Sequence, residues 1–280
     1  MSNNSFKLIL IVNLFLLSFS GISQESKLIS TEPFCIGEIR NFYSEILHEN
    51  RALNIYLPPS YHISQELSYP VIYLLDGSAD EDFIHIAGLV HFGAFPWVKM
   101  LPECIVVGIA NTDRMRDYTF PTTIQADQID YPSSGQSERF IECIENEIQP
   151  IIEENYRTKG IKTLIGQSIG GLLASEILIK KPYLFSHYII VSPSLWWDNG
   201  SLLMHNPVSG RVAIDERIEV YICAGNEHET IVKDSKLLVD RISVTHAPFI
   251  QSTYYFFEDQ DHGSILHLAV YMALESMFGY

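Results

Sequence analysis

The sequence predicts an α/β protein built on a mostly parallel sheet, and three observations carry that prediction. Apolar strand-like runs alternate with helical patterns from about residue 40 to the C-terminus. Two early runs, Pro70 to Leu75 and Glu103 to Ala110, are almost continuously apolar, as strands covered by helices on both faces must be. Between them and the C-terminus, Leu164-Ile165-Gly166-Gln167-Ser168-Ile169-Gly170-Gly171 runs from an apolar strand through Gly-x-Ser-x-Gly into a helix-forming stretch. A serine held on a sharp strand-to-helix turn leaves no room for a Cβ at its flanks, and glycine stands at 166, 170 and 171.

The elements follow in order. Phe42 to Leu47 and Arg51 to Leu57, joined at His48-Glu49-Asn50 and closed by Pro58-Pro59, predict an antiparallel hairpin that opens the domain. The two apolar strands come next. Ser137 to Asn155 places Phe140, Ile141, Ile144, Ile148, Ile151 and Ile152 at helical spacing, with glutamates elsewhere, and predicts an amphipathic helix. Thr163 to Ile165 is the strand feeding the turn, and Gly171 to Lys181 is the helix leaving it, stopped before Pro182. Strands at Tyr188 to Ser192, Glu219 to Ala224 and Thr253 to Phe257 then alternate with helices near Ile231 to Ser243 and Ile265 to Phe278. Two long stretches fit neither pattern, Asn111 to Gln136 and Pro193 to Asp215. Both leave the C-terminal ends of strands, where open parallel sheets place their sites, and they are expected to wall a pocket.

Residues 1–23 carry a lone Lys7, an apolar run from Leu8 to Phe19 and the small-residue end Gly21-Ile22-Ser23. The pattern is that of a secretory signal peptide, too short in its apolar run to span a bilayer comfortably. The expectation is an exported protein, periplasmic or secreted, free of the membrane after cleavage, with residues 24–280 forming a single domain. One of the 18 basic residues leaves with the leader, so 17 stand against 34 acidic ones, a net charge of about −17. Such a surface repels nucleic acid and anionic membrane. The four cysteines, Cys35, Cys104, Cys143 and Cys223, lack the paired spacing of a zinc site, and no metal, cofactor or disulfide framework is expected. Cys104 and Cys223 lie in apolar runs and read as small buried hydrophobes. Oligomeric state is not legible.

A serine hydroxyl needs a base to take its proton and a carboxylate to orient that base, and in a fold of this kind the chain order is serine, acid, histidine. His187 and His205 precede the final strands, His246 lies in a connecting loop, and His267 is already inside an apolar helix. His262 follows the last strand in Asp259-Gln260-Asp261-His262-Gly263-Ser264 and is the candidate base. The acid is expected after Glu219 to Ala224, where Glu227 is the first choice and Glu229, at the start of a helix, the alternative. Developing charge needs backbone donors. The N–H of Ile169, after the serine, is one, and Asp76-Gly77-Ser78 offers the Ser78 N–H as the second.

These segments together resemble the esterase D-like family of α/β-hydrolases, which includes siderophore esterases, S-formylglutathione hydrolases, feruloyl and acetylxylan esterases, and secreted mycolyltransferases. The resemblance spans most of the chain after residue 23. It rests on Arg51-x-x-x-Ile55-Tyr56-Leu57-Pro58-Pro59-x-Tyr61, Tyr69-Pro70-Val71-Ile72-Tyr73-Leu74-Leu75-Asp76-Gly77, Arg114-x-Arg116-Asp117-Tyr118-Thr119, the Ser168 turn, Ser192-Pro193-Ser194-Leu195-Trp196-Trp197 and Asp261-His262-Gly263-Ser264. The Ser-Pro-Ser-Leu-Trp-Trp segment looks most like the siderophore (enterobactin-type) branch. The resemblance implies an α/β-hydrolase fold and a serine carboxylic ester hydrolase acting through an acyl-enzyme on a small-molecule ester. It implies substrate contacts at Arg114, Arg116, Trp196 and Trp197. The other readings are a feruloyl or acetylxylan esterase, an acyltransferase, and a non-catalytic binding module. Some members of the siderophore branch work with a serine–histidine pair and little help from an acid, which leaves the role of Glu227 open.

Overall fold

The computed structural model describes residues 28–205, 217–246 and 249–279. The chain divides into two compact units, Met1–Phe34 and Cys35–Tyr280. In the first, residues 28–34 are exposed and without regular structure, and the expected leader at 1–23 lies outside the described residues. All elements below belong to the second.

The opening hairpin is β1 (Glu38–Ser44) and β2 (Glu49–Tyr56), antiparallel with Ser44 opposite Glu49. The turn therefore falls over residues 45–48, ahead of the expected one, with His48 at φ 58°. Then come β3 (Tyr69–Leu74), α1 (Phe83–Gly93) and β4 (Ile105–Ile109). Helix α1, absent from the sequence-based expectation, is largely apolar on more than one face and shows little helical periodicity. The first expected loop carries two short helices, α2 (Arg114–Tyr118) and α3 (Gln125–Asp130).

The amphipathic segment 137–155 is helical throughout but not uniform: α4 (Ser137–Cys143) passes through one π-turn (Ile144–Ile148) into α5 (Gln149–Asn155). Pro150 explains the irregularity. It has no N–H to give and its ring crowds the carbonyl one turn back, so the ladder widens just ahead of it, with Gln149 N–H reaching Ile144 O.

The strand into the serine turn, β5 (Thr158–Gln167), is longer than expected and leads directly into α6 (Ile169–Lys180). The rest are β6 (His187–Val191), a short α7 (Trp197–Gly200), β7 (Ile218–Gly225), α8 (Glu229–His246), β8 (Ile250–Phe257) and α9 (Ile265–Phe278).

The eight strands form one sheet in the order β1-β2-β4-β3-β5-β6-β7-β8. β1–β2 and β2–β4 are antiparallel, and the other five pairings are parallel. Alternate residues of β3 feed two cores. Val71 and Tyr73 pack with α4, α5, α6 and α8, while Ile72 and Leu74 pack with α1 and α9 on the opposite face. Cys104 and Cys223 are buried in the second core, as their apolar surroundings predict. With both faces covered, the parallel strands β5 to β8 all deliver their C-terminal ends to one edge, where the candidate site residues gather.

Candidate active site

Ser168 stands between β5 and α6 at φ 58° and ψ −120°, backbone that a residue with a Cβ enters only when its surroundings impose it. The surroundings are tight. A Cβ on Gly166 would lie 2.4 Å from Gly170 O, so the strand and the first turn of the helix approach each other only because glycine is there. The Ser168 N–H is held by Val191 O at 3.0 Å, and its Oγ lies 3.4 Å from Ser194 Oγ. Ile169 opens the twelve-residue α6, so its amide lies in the positive end of the helix dipole.

Two strands over, β7 delivers Glu227. Its Oε2 lies 2.5 Å from His262 Nδ1, on the loop after β8, while its Oε1 accepts from Ser192 Oγ at 2.5 Å and from Gly225 N–H at 2.9 Å. The carboxylate side chain is 4% exposed and the imidazole 41%: a buried acid holds a histidine that solvent and ligands can reach. Burial pushes the Glu227 carboxyl up, but the hydrogen bonds from His262, Ser192 and Gly225 outweigh it and hold the group below its ordinary value. Glu229, the alternative acid, is exposed in the first turn of α8. The side chain of Gln167, next to Ser168, donates to the His262 carbonyl at 2.5 Å and so ties the histidine loop to the serine turn.

The pocket in front of Ser168 measures about 320 Å³ and is lined by Asp76, Glu81, Asp82, Arg114, Gln167 and Ser168. The Asp76-Gly77-Ser78 turn differs in detail from expectation. The positive φ falls on Asp76 (54°), and Gly77 serves close approach instead, since a Cβ there would sit 2.4 Å from Gly108 Cα. The Ser78 N–H donates to Glu81 Oε2 at 3.3 Å, inside the turn that precedes α1.

Of the expected substrate contacts, Arg114 reaches the pocket, but its guanidinium is bound bidentately to Asp76, at 2.6 and 2.8 Å. Arg116 does not line that pocket: its guanidinium is taken up by Glu49 (2.5 and 2.9 Å) and Asp117 (2.7 Å), a network completed by the buried Arg51. Trp197 is 0% exposed and therefore a core residue; its indole N–H, which burial obliges to find a partner, donates to Phe120 O at 2.8 Å. Trp196 is half-buried against the same core, edge-on to Trp197.

The first long loop reaches the pocket through Arg114, and the described part of the second is tied to the first. Asp198 Oδ1 accepts from Thr123 N–H at 2.6 Å, Thr123 Oγ1 at 2.7 Å and Thr122 Oγ1 at 3.2 Å. Part of the second loop, 206–216, lies outside the described residues. Ser192, Ser194, Gln167 and Asp76 stand inside the sequence motifs without a role that their residue types alone would assign. The signal available was position, since each sits within three residues of a strand's C-terminal end. Among the described residues no group of three or more His, Cys, Asp or Glu side chains is placed to hold a metal ion.

A sheet of this order, with a strained serine between a central strand and the helix that follows it, defines the class: an α/β-hydrolase. The family described as "Putative esterase" matches residues 44–262, and the chain belongs to it. Its reaction is accordingly the hydrolysis of carboxylic esters. Among its relatives is a ferri-bacillibactin esterase, BesA, of Bacillus subtilis (strain 168), 29% identical over 81% of this chain and 85% of the relative. The crystal structure of an IroE-like serine hydrolase from Shewanella oneidensis superposes with a TM-score of 0.77 at 31% identity, covering 86% of this chain and 80% of that one. The BES protein from Bacillus cereus gives 0.76 at 25% identity, covering 91% of this chain and all of that one.

Proposed function

We propose that this protein is an exported siderophore-type ester hydrolase in which Ser168 is the nucleophile, His262 the base and Glu227 the acid that orients it. One observation carries the reading: a carboxylate buried after β7 sits 2.5 Å from the Nδ1 of an accessible histidine after β8, and Gln167 ties that histidine to the strained serine. An ionised carboxylate only accepts hydrogen bonds, so Nδ1 carries the ring proton and Nε2 is left as the base.

In the proposed cycle Ser168 Oγ attacks the ester carbonyl as His262 Nε2 takes its proton. The oxyanion is held by the Ile169 N–H at the start of α6 and by the Ser78 N–H, which it takes over from Glu81. Collapse expels the alcohol, protonated by His262, and leaves an acyl-serine. Water, deprotonated by His262, then releases the acid and restores the serine. The siderophore class is supported by the similarity to the ferri-bacillibactin esterase and by Ser192 to Trp197.

Ser168→Ala lowers p-nitrophenyl acetate turnover by about 10⁴-fold or more while the protein stays folded. Undiminished turnover removes Ser168 from the mechanism. On natural esters, kcat/KM for a siderophore trilactone exceeds that for feruloylated or acetylated xylo-oligosaccharides by at least about tenfold. The reverse order turns the substrate assignment to plant-wall esters, and ester products formed with an added acceptor alcohol turn it to acyl transfer.

A further inference from the structure

Ser168 is not the only strained serine at this edge. β6 ends at Val191, and Ser192 leaves it at φ 45°, fully buried. A turn that needed only this conformation would be met at least cost by glycine, which has no Cβ to clash. What serine adds is a hydroxyl, and that hydroxyl donates to Glu227 Oε1 at 2.5 Å. The Gly225 N–H takes the same oxygen at 2.9 Å. With Oε1 held from two sides the carboxylate cannot rotate, and Oε2 is left facing His262 Nδ1.

The placement follows from the sheet. β5 and β6 are parallel neighbours with Gln167 opposite Val191, so the two strained serines leave adjacent strand ends side by side. Ser168 N–H donates to Val191 O, and Ser194 N–H returns to Ser168 O at 2.9 Å. The turn after β6 thus touches the nucleophile through its backbone and the acid through the Ser192 side chain. Strain concentrated in a buried polar residue, with no backbone need that glycine could not meet, points to a role for the side chain.

We infer that Ser192 is a positioning residue for ester hydrolysis, its hydroxyl fixing the Glu227 carboxylate and, through it, the orientation of His262. The inference rests on Glu227 and His262 acting as acid and base.

The test is Ser192→Gly, which relieves the strain and removes only the hydroxymethyl group, with Ser192→Ala as the partner that keeps the Cβ. Each is made alone and together with Glu227→Gln, and kcat and KM for p-nitrophenyl acetate are measured across pH. Both variants stay folded by circular dichroism and lose about ten- to a hundredfold in kcat, the scale of one hydrogen bond to a charged group, with little change in KM. In the Glu227→Gln background the same changes cost almost nothing more, because Ser192 acts through that carboxylate. Without the hydroxyl, Glu227 loses one of the hydrogen bonds that hold its carboxyl below the ordinary value.

Wild-type kcat in Ser192→Gly overturns the inference. So does an equal loss in both backgrounds, which is the mark of a merely structural residue. Wild-type activity in Glu227→Gln alone overturns the assignment of the acid and the inference with it, whereas an impaired Glu227→Gln beside an unimpaired Ser192→Gly overturns the inference only.

Discussion

At the scale of single residues, the pocket at Ser168 is governed by carboxylates competing for a few donors. Asp76 takes the Arg114 guanidinium and the Asn111 amide, and Glu81 takes Asn111 and the Ser78 N–H. Asp82, half-buried near both and making no cap hydrogen bond to α1, feels their repulsion more than the attraction of Arg114. Burial first, then the charges of Asp76 and Glu81, push its carboxyl up to about 6 from an ordinary 3.8. A raised folded value means the native state binds the proton more tightly. The cost of the charge is absent below about pH 4, grows through the window between the two values and is complete above about pH 6. Asp82→Asn should therefore stabilise the protein at pH 7 by about 1 kcal/mol, a figure discounted for partial exposure. Urea unfolding at pH 7 and pH 4 checks this, and the gain should vanish at the lower pH.

At the scale of elements, α2 is what turns a long loop into a wall. It is pinned to β2 by Arg51 and Asp117, side chains 1% and 2% exposed and 2.6 Å apart, with Arg116 and Glu49 closing the network. Removing one partner of such a pair leaves a charge in the interior. Asp117→Ala should cost about 3 kcal/mol in urea unfolding, and more than Arg116→Ala, whose side chain is partly exposed. Equal costs would show that burial of the Arg51–Asp117 pair does not dominate. The hydrogen bonds of Asp198 to Thr122 and Thr123 then fasten the second loop to the first.

At the scale of the whole molecule, the parallel half of the sheet gathers the residues of the proposed mechanism, because four adjacent parallel strands end at one edge. β5 brings Ser168, β6 Ser192, β7 Glu227 and β8 His262. The proposed export belongs to this scale too. A protein of net charge −16, with the apolar run Leu8 to Phe19 inside a signal-like segment, is proposed to reach the periplasm or medium without that leader. Mass spectrometry of the exported protein should find an N-terminus close to Gln24. A full-length chain in the cytosolic fraction would refute it.

The sequence by itself determined the alternation of strand and helix, the parallel core and the serine turn with its glycines, and chain order pointed to His262 as the candidate base while leaving Glu227 and Glu229 both in place for the acid. These are local patterns or consequences of connectivity. It did not reveal α1, whose apolar residues cover more than one face and blur the helical period, or the short α2 and α3, too brief for any period to register. Nor could it say what each functional-looking side chain touches. Arg116 and Trp197 were expected at substrate and lie instead in an ion-pair network and the core, while Arg114 reaches the pocket already paired with Asp76. Only the tertiary structure decided these, because partners 38 or 67 residues away are chosen by how strands and loops pack and not by what stands next in the chain. Ser192 belongs with them: its hydroxyl means nothing until β6 and β7 lie side by side and bring it to Glu227.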